Sequence, residues 1–147
     1  MGTPTFAVPV IEALASNGHD ILGIFTQPDK ARSRGLKSLP TATKEFGALA
    51  GIPVFERASV KGESAVASLR ALTPDAIVVA AYGNFIPREF FSLPPLGAIN
   101  IHPSLLPRHR GPSPVSTAIL EDDESTGVTI YQIDDGIDSG PIIAQRK

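Results

Sequence analysis

The run Ala76-Ile77-Val78-Val79-Ala80-Ala81 constrains the fold more than any other stretch of this chain. It is apolar throughout, β-branched at its centre, and shows no polar alternation. Such a run describes a strand covered on both faces, the habit of parallel sheets. Parallel strands need crossover connections, usually helices, and the flanking sequence supplies them. Residues 63–72 put Val66 and Leu69 at helical spacing, and residues 87–92 form a short helix leading into a strand at 98–101. Upstream, residues 7–17 carry Val8, Ile11, Leu14 and Ala15 on a helical stripe that stops at Gly18. Residues 21–26 read as a strand, 41–50 as a helix closed by Gly51, and 53–55 as a short strand. Downstream, 114–120 is helical, 126–133 alternates like a strand, and 142–145 begins another. Strands alternating with helices mean βαβ units, hence an α/β fold around a parallel sheet with right-handed crossovers.

A length of 147 residues suits one domain with one core. Cysteine is absent, which excludes disulfides and thiolate metal sites and fits a cytoplasmic protein. The opening Met1-Gly2-Thr3-Pro4 lacks the basic segment of a signal peptide, and no run of about 18 apolar residues offers a membrane span. The net charge of −2 makes the domain as a whole no polyanion binder, so any nucleic-acid contact is local. Gly2-Thr3-Pro4 reads as a turn that would follow a strand, and the far end stops within an apolar strand. A chain cut at both ends, with its first strand lost, is therefore expected.

Four stretches carry candidate chemistry. In Asn100-Ile101-His102-Pro103 the carboxamide and the imidazole share one strand face, with Ile99 and Ile101 on the other. Pro103 ends the strand, and open α/β sheets place ligands at the C-terminal ends of their strands. Both groups can serve a tetrahedral intermediate. The turn Asp134-Asp135-Gly136-Ile137-Asp138-Ser139-Gly140 offers a carboxylate to orient a proton-carrying histidine, with Asp138 best placed. The proline-rich loop from Ser104 to Pro114 is stiff enough for a pocket wall, with Leu105 and Leu106 lining an apolar slot and unpaired main chain to read a heterocycle. The basic run Lys30, Arg32, Arg34 and Lys37 is either a solvated loop or an arm that tracks a phosphate backbone. The histidines, His19, His102 and His109, are scattered, and no metal site is expected. Gly2-Thr3-Pro4 matches no dinucleotide or phosphate-loop motif, and no nucleotide cofactor is expected.

These residues, with the opening Met1-Gly2-Thr3-Pro4-x-Phe6-Ala7-Val8-Pro9, Thr26-Gln27-Pro28-Asp29, Ala81-Tyr82-Gly83, Ser104-Leu105-Leu106-Pro107-Arg108-x-Arg110-Gly111 and Asp135-Gly136-x-Asp138-Ser139-Gly140, resemble the methionyl-tRNA formyltransferase family. The likeness runs in order along the whole chain and covers the front part of that family's catalytic domain. The Asn-x-His and Asp set alone belongs to the wider group of 10-formyltetrahydrofolate-dependent formyltransferases and hydrolases. The opening segment and the Thr-Gln-Pro-Asp loop point to the tRNA enzyme.

The resemblance implies a Rossmann-like formyltransferase domain over residues 1–147, partial, with the family's C-terminal barrel domain absent. It implies Asn100, His102 and Asp138 as the catalytic trio and Ser104, Leu105, Leu106 and Pro107 as the border of the folate. It implies a tRNA-contacting loop of Lys30, Arg32, Arg34 and Lys37, with Ser33 standing where the family usually has a glycine. The implied reaction moves a formyl group from 10-formyltetrahydrofolate, a co-substrate, to the α-amine of methionyl initiator tRNA, without metal or membrane, in a monomer. The alternatives are another formyl-folate enzyme, such as a sugar-amine or glycinamide ribonucleotide formyltransferase or the hydrolase of the same donor, and a non-catalytic ligand-binding α/β domain. Convergence of Asn100, His102 and Asp138 discriminates against the last.

Overall fold

The computed structural model describes residues 1–29 and 39–147. They form two compact units, Met1–Pro74 with Ala80–Ile86, and Asp75–Val79 with Pro87–Lys147.

In the first unit a 3-10 turn, Thr5–Ala7, runs into helix α1 (Val8–Ser16). A proline in the first turn of α1 is tolerated because the N–H groups there lack helical partners anyway. The expected inward stripe is shallow: Val8, Ile11 and Leu14 are half-buried and Ala15 is exposed. Strand β1 (Ile24–Thr26) pairs in parallel with β2 (Val54–Glu56), and the Phe25 and Phe55 rings stack with centroids 4.8 Å apart. Helix α2 (Ala42–Ala50) bridges them in sequence. Thr41 caps its start by accepting from the Lys44 N–H, and Gly51, at φ 69°, ends it in a left-handed conformation. Helix α3 (Glu63–Leu72) buries Ala65, Val66 and Leu69. Met1 and Gly2 pair with their neighbours: the Gly2 N–H donates to Phe25 O at 3.0 Å, and the Ala80 N–H donates to Met1 O at 2.9 Å. A Cβ on Gly2 would lie 2.4 Å from the Ala7 Cβ and 2.6 Å from Ala80 O. The turn therefore needs a glycine for close backbone approach.

The second unit is a four-stranded sheet in the order β3 (Ile77–Val79), β4 (Ala98–His102), β5 (Val128–Gln132), β6 (Ile142–Arg146). Helix α4 (Arg88–Phe91) precedes β4 and buries Phe90 and Phe91; helix α5 (Pro114–Leu120) precedes β5. The parallel expectation holds for β3 and β4, as it does for β1 and β2. It does not hold further on: β5 runs antiparallel to β4, and β6 antiparallel to β5. The sequence between β4 and β5 holds a helix, but one of seven residues behind a long irregular loop, and it returns the chain reversed. The acidic turn then joins β5 to β6 as neighbours. Strand β6 is exposed along its whole length. Among the described residues no helix is long and apolar enough to cross a membrane.

Candidate active site

Antiparallel pairing of β4 with β5 sets the site. In that register Asn100 lies directly opposite Tyr131, and His102 opposite Thr129. Directly opposed residues of an antiparallel pair project to the same face, so a carboxamide, an imidazole, a phenol and a hydroxyl share one patch of sheet. Tyr131, His102 and Thr129 are buried there. The acidic turn after β5 folds Asp138 back onto the patch. Gly140 makes this possible, since a Cβ there would sit 1.8 Å from Gln132 O.

The polar groups form one connected set. The Tyr131 hydroxyl donates to Asp138 Oδ1 at 2.6 Å and accepts from Asn100 Nδ2 at 3.0 Å. The Gly111 N–H donates to Asp138 Oδ2 at 2.7 Å. That same oxygen lies 3.6 Å from His102 Nδ1, an ion-pair distance rather than a hydrogen bond. On its other side the His102 ring contacts His109 O through Nε2 at 2.9 Å. A carbonyl only accepts, so Nε2 carries the hydrogen, and Nδ1 is the position that gains or loses a proton. A proton taken up by this ring thus arrives facing the Asp138 carboxylate. Burial, then the bond to Asp138, pushes the Tyr131 phenol well above its ordinary range, so this hydroxyl keeps its hydrogen at any working pH.

Two residues that build the patch adopt left-handed backbone without being glycine: His109 at φ 54° and Asp138 at φ 48°. Each conformation costs on the order of 1–2 kcal/mol. His109 presents its carbonyl to His102, and Asp138 its carboxylate to Tyr131 and Gly111.

Asn100, His102 and Asp138 are therefore brought together. The loop residues behave differently. Ser104 is fully buried, its hydroxyl donating to Arg108 O at 2.7 Å and its carbonyl accepting from the Thr129 hydroxyl at 2.6 Å. The Leu106 N–H donates to Thr129 Oγ1 at 3.1 Å, and its carbonyl accepts from Gln145 Nε2 at 2.7 Å. The expected unpaired main chain at these two residues is thus already paired, because Thr129 and Gln145 reach across to it. Leu105 is half-buried and Pro107 exposed. Arg108 and His109 are held from the α5–β5 connection by Asp123, at 2.5 Å from Arg108 Nη2 and 2.6 Å from His109 Nε2. The His109 bond, ahead of the charge of Arg108, holds the Asp123 carboxyl below its usual range. His109, Glu121 and Asp123 also group their ligand-type atoms within 4.8 Å of one another. Arg108, 2.5 Å from Asp123 and 3.7 Å from Glu121, already supplies that cluster with a cation.

Tyr131 and Thr129 were not among the expected site residues. Their signal lay in the alternation of 126–133, which puts both on one face; what was needed besides was the antiparallel register.

The basic residues Lys30, Arg32, Arg34 and Lys37 lie outside the described residues. The flanks of their segment are described, in the first unit. The Thr26 and Thr41 hydroxyls are 2.9 Å apart, and the Thr43 hydroxyl donates to Gly2 O at 2.9 Å. Gln27 Nε2 donates to Tyr82 O at 2.9 Å. Lys44 sits between Asp29, at 2.7 Å, and Glu56, at 2.8 Å. The motif residues Thr26-Gln27-Pro28-Asp29 and Ala81-Tyr82-Gly83 thus belong to one anchored base.

Comparison with known proteins identifies the family. The family described as formyl transferase matches residues 1–147. Methionyl-tRNA formyltransferase of Roseiflexus sp. (strain RS-1) is 49% identical over 99% of this chain and 45% of its own length. That of Kosmotoga olearia is 43% identical over 100% of this chain and 47% of its own. The chain thus spans about half the length of the curated relatives it matches. Among solved structures, phosphoribosylglycinamide formyltransferase from Bacillus halodurans is similar with a TM-score of 0.77 at 27% identity, covering 99% of this chain and 74% of that one. A formyltransferase from Anoxybacillus kamchatkensis, solved with a nucleotide sugar and tetrahydrofolate, is similar with a TM-score of 0.54 at 29% identity, over 84% of this chain and 58% of its own. The architecture is the Rossmann-like α/β fold of these enzymes, and the chain belongs to the formyl transferase family.

Proposed function

We propose that the protein transfers a formyl group from 10-formyltetrahydrofolate to the α-amine of methionyl initiator tRNA. The observation that carries the reading is the convergence of Asn100, His102 and Asp138 on one buried patch of β4 and the turn after β5, in a chain 43–49% identical to methionyl-tRNA formyltransferases.

The amine attacks the formyl carbon and its carbonyl oxygen becomes an oxyanion. The Asn100 carboxamide has two N–H donors, one of them given to Tyr131, and the other is available to the oxyanion. The attacking amine must lose a proton and folate N10 must leave with one. His102 carries it at Nδ1, the ring position not committed to His109 O. Asp138, fixed by Tyr131 and Gly111, faces the imidazolium that forms. Ser104, Leu105, Leu106 and Pro107 border the folate, with Ser104 and Leu106 acting as internal pins and Leu105 and Pro107 left to meet it. Lys30, Arg32, Arg34 and Lys37 contact the acceptor end of the tRNA, carried on the base that Thr26, Thr41 and Lys44 hold closed.

A second reading, formyl transfer to glycinamide ribonucleotide, draws on the solved structures of enzymes named for that substrate. The test is one assay on the complete gene product, supplied with 10-formyltetrahydrofolate and either charged initiator tRNA or glycinamide ribonucleotide. Formylation of the tRNA alone is expected. Formylation of the ribonucleotide alone would overturn the proposal.

A further inference from the structure

We infer that Tyr131 is a positioning residue for formyl transfer, fixing which end of the Asn100 carboxamide faces the reacting carbonyl by bonding Asn100 and Asp138 through one hydroxyl. The inference rests on the formyl-transfer reading and deepens it.

A hydroxyl has one hydrogen to give and lone pairs to receive. The two partners of this one leave no choice of direction. The Asp138 carboxylate only accepts, so the hydrogen of Tyr131 goes there, at 2.6 Å. What remains is a lone pair, and only the NH₂ end of the carboxamide can use it, at 3.0 Å. Asn100 is thereby locked with its nitrogen beside Tyr131. Without the hydroxyl, a carboxamide rotated by about 180° costs little, since its two ends have the same shape. That rotation exchanges the N–H donors and the oxygen. An oxygen turned toward a developing oxyanion repels the charge that the N–H should stabilise.

The raised phenol supports the same direction of bonding, because a tyrosine that holds its proton stays a donor to Asp138 throughout the working range. The site also spends structure on the link. Register alone places Tyr131 opposite Asn100. Bringing the carboxylate to the hydroxyl takes the left-handed Asp138 and the close approach at Gly140. Tyr131 is 4% exposed, so water does not readily replace a lost hydroxyl contact on either partner.

The test is a double-mutant cycle in the complete gene product. Tyr131→Phe is expected to lower kcat about tenfold to a hundredfold while leaving KM for the folate donor within about twofold. In an Asn100→Ala background the same substitution is expected to cost less than about threefold, since it has nothing left to orient. An equal loss in both backgrounds would mark a merely structural tyrosine and overturn the inference, as would a Tyr131→Phe enzyme of full activity. The link is also read without turnover. The Asn100 side-chain amide signals in a ¹⁵N–¹H spectrum are expected to shift in Tyr131→Phe, and unshifted signals would contradict the inference. Failure of the unmodified protein to formylate either acceptor, with that shift still seen in Tyr131→Phe, would count against the formyl-transfer reading and leave the hydrogen-bonded link standing.

Discussion

The patch on β4 and β5 and the base of the 27–40 segment contrast in how they hold their polar groups. On the patch, Asn100, His102, Tyr131 and Asp138 are tied to one another or to main chain, all four through bonds of 3.0 Å or less. Strand register, a buried face and two left-handed residues determine where each atom sits. At the base, the hydroxyls of Thr26, Thr41 and Thr43 and the Lys44 ion pairs fix only the two flanks of the segment. In the proposed function the basic side chains of that segment act through charge, which tolerates displacement and is screened by salt. Bond making needs atoms placed to a fraction of an ångström, whereas holding a polyanion needs charge in the right region. The proposed function divides the two tasks accordingly.

That contrast can be broken by substitution on either side. The largest effect is expected at the patch: Asn100→Ala lowers the transfer rate by about 10²–10³, the usual cost of one oxyanion donor, measured as kcat in single-turnover assays. In the basic segment, Arg34→Ala is expected to raise KM for charged tRNA about tenfold and to flatten its salt dependence by about one phosphate contact. The folate KM should not move; equal effects on both substrates would contradict a basic arm.

Within the patch, Thr129→Val tests the loop's internal pins. The Thr129 hydroxyl is buried, donates to Ser104 O and accepts from the Leu106 N–H and from Gln145. Its removal orphans buried groups and should cost about 2–3 kcal/mol in denaturant unfolding, where a loss below about 0.5 kcal/mol would show the pins to be idle.

The smallest effect concerns acid. Asp123 has a folded pKa below its unfolded value, through His109 and then Arg108. Its contribution to stability is therefore complete above an unfolded carboxylate pKa of about 3.9 and is lost as pH falls through the lower folded one. Asp123→Asn should leave less stability to lose below about pH 4, seen as a shallower acid limb in thermal unfolding.

Much of this was legible in the sequence. The apolar run around Val78, the helix at Glu63–Leu72 and the in-phase Asn100 and His102 followed from period alone, because burial and alternation are local properties. Asp138 was legible as a carboxylate ending a turn. The direction of β5 was not, because strand direction depends on where a long connection returns, and 103–127 is irregular for most of its length. Tyr131 was lost with it: the same residue on a parallel strand would not stand opposite Asn100. The pairing of Ser104 and Leu106 was missed for the same reason, since Thr129 and Gln145 reach them only across antiparallel partners.

In the proposed function the Asn100 and His102 pair performs the transfer rather than binding its donor. The most direct measurement sets two readouts side by side in the Asn100→Ala, His102→Ala double variant of the complete gene product: tetrahydrofolate affinity by calorimetry, and formyl transfer to charged initiator tRNA. Affinity within about threefold of the unmodified protein and transfer reduced at least about a hundredfold are expected. A double variant that still transfers formyl at the original rate would contradict it.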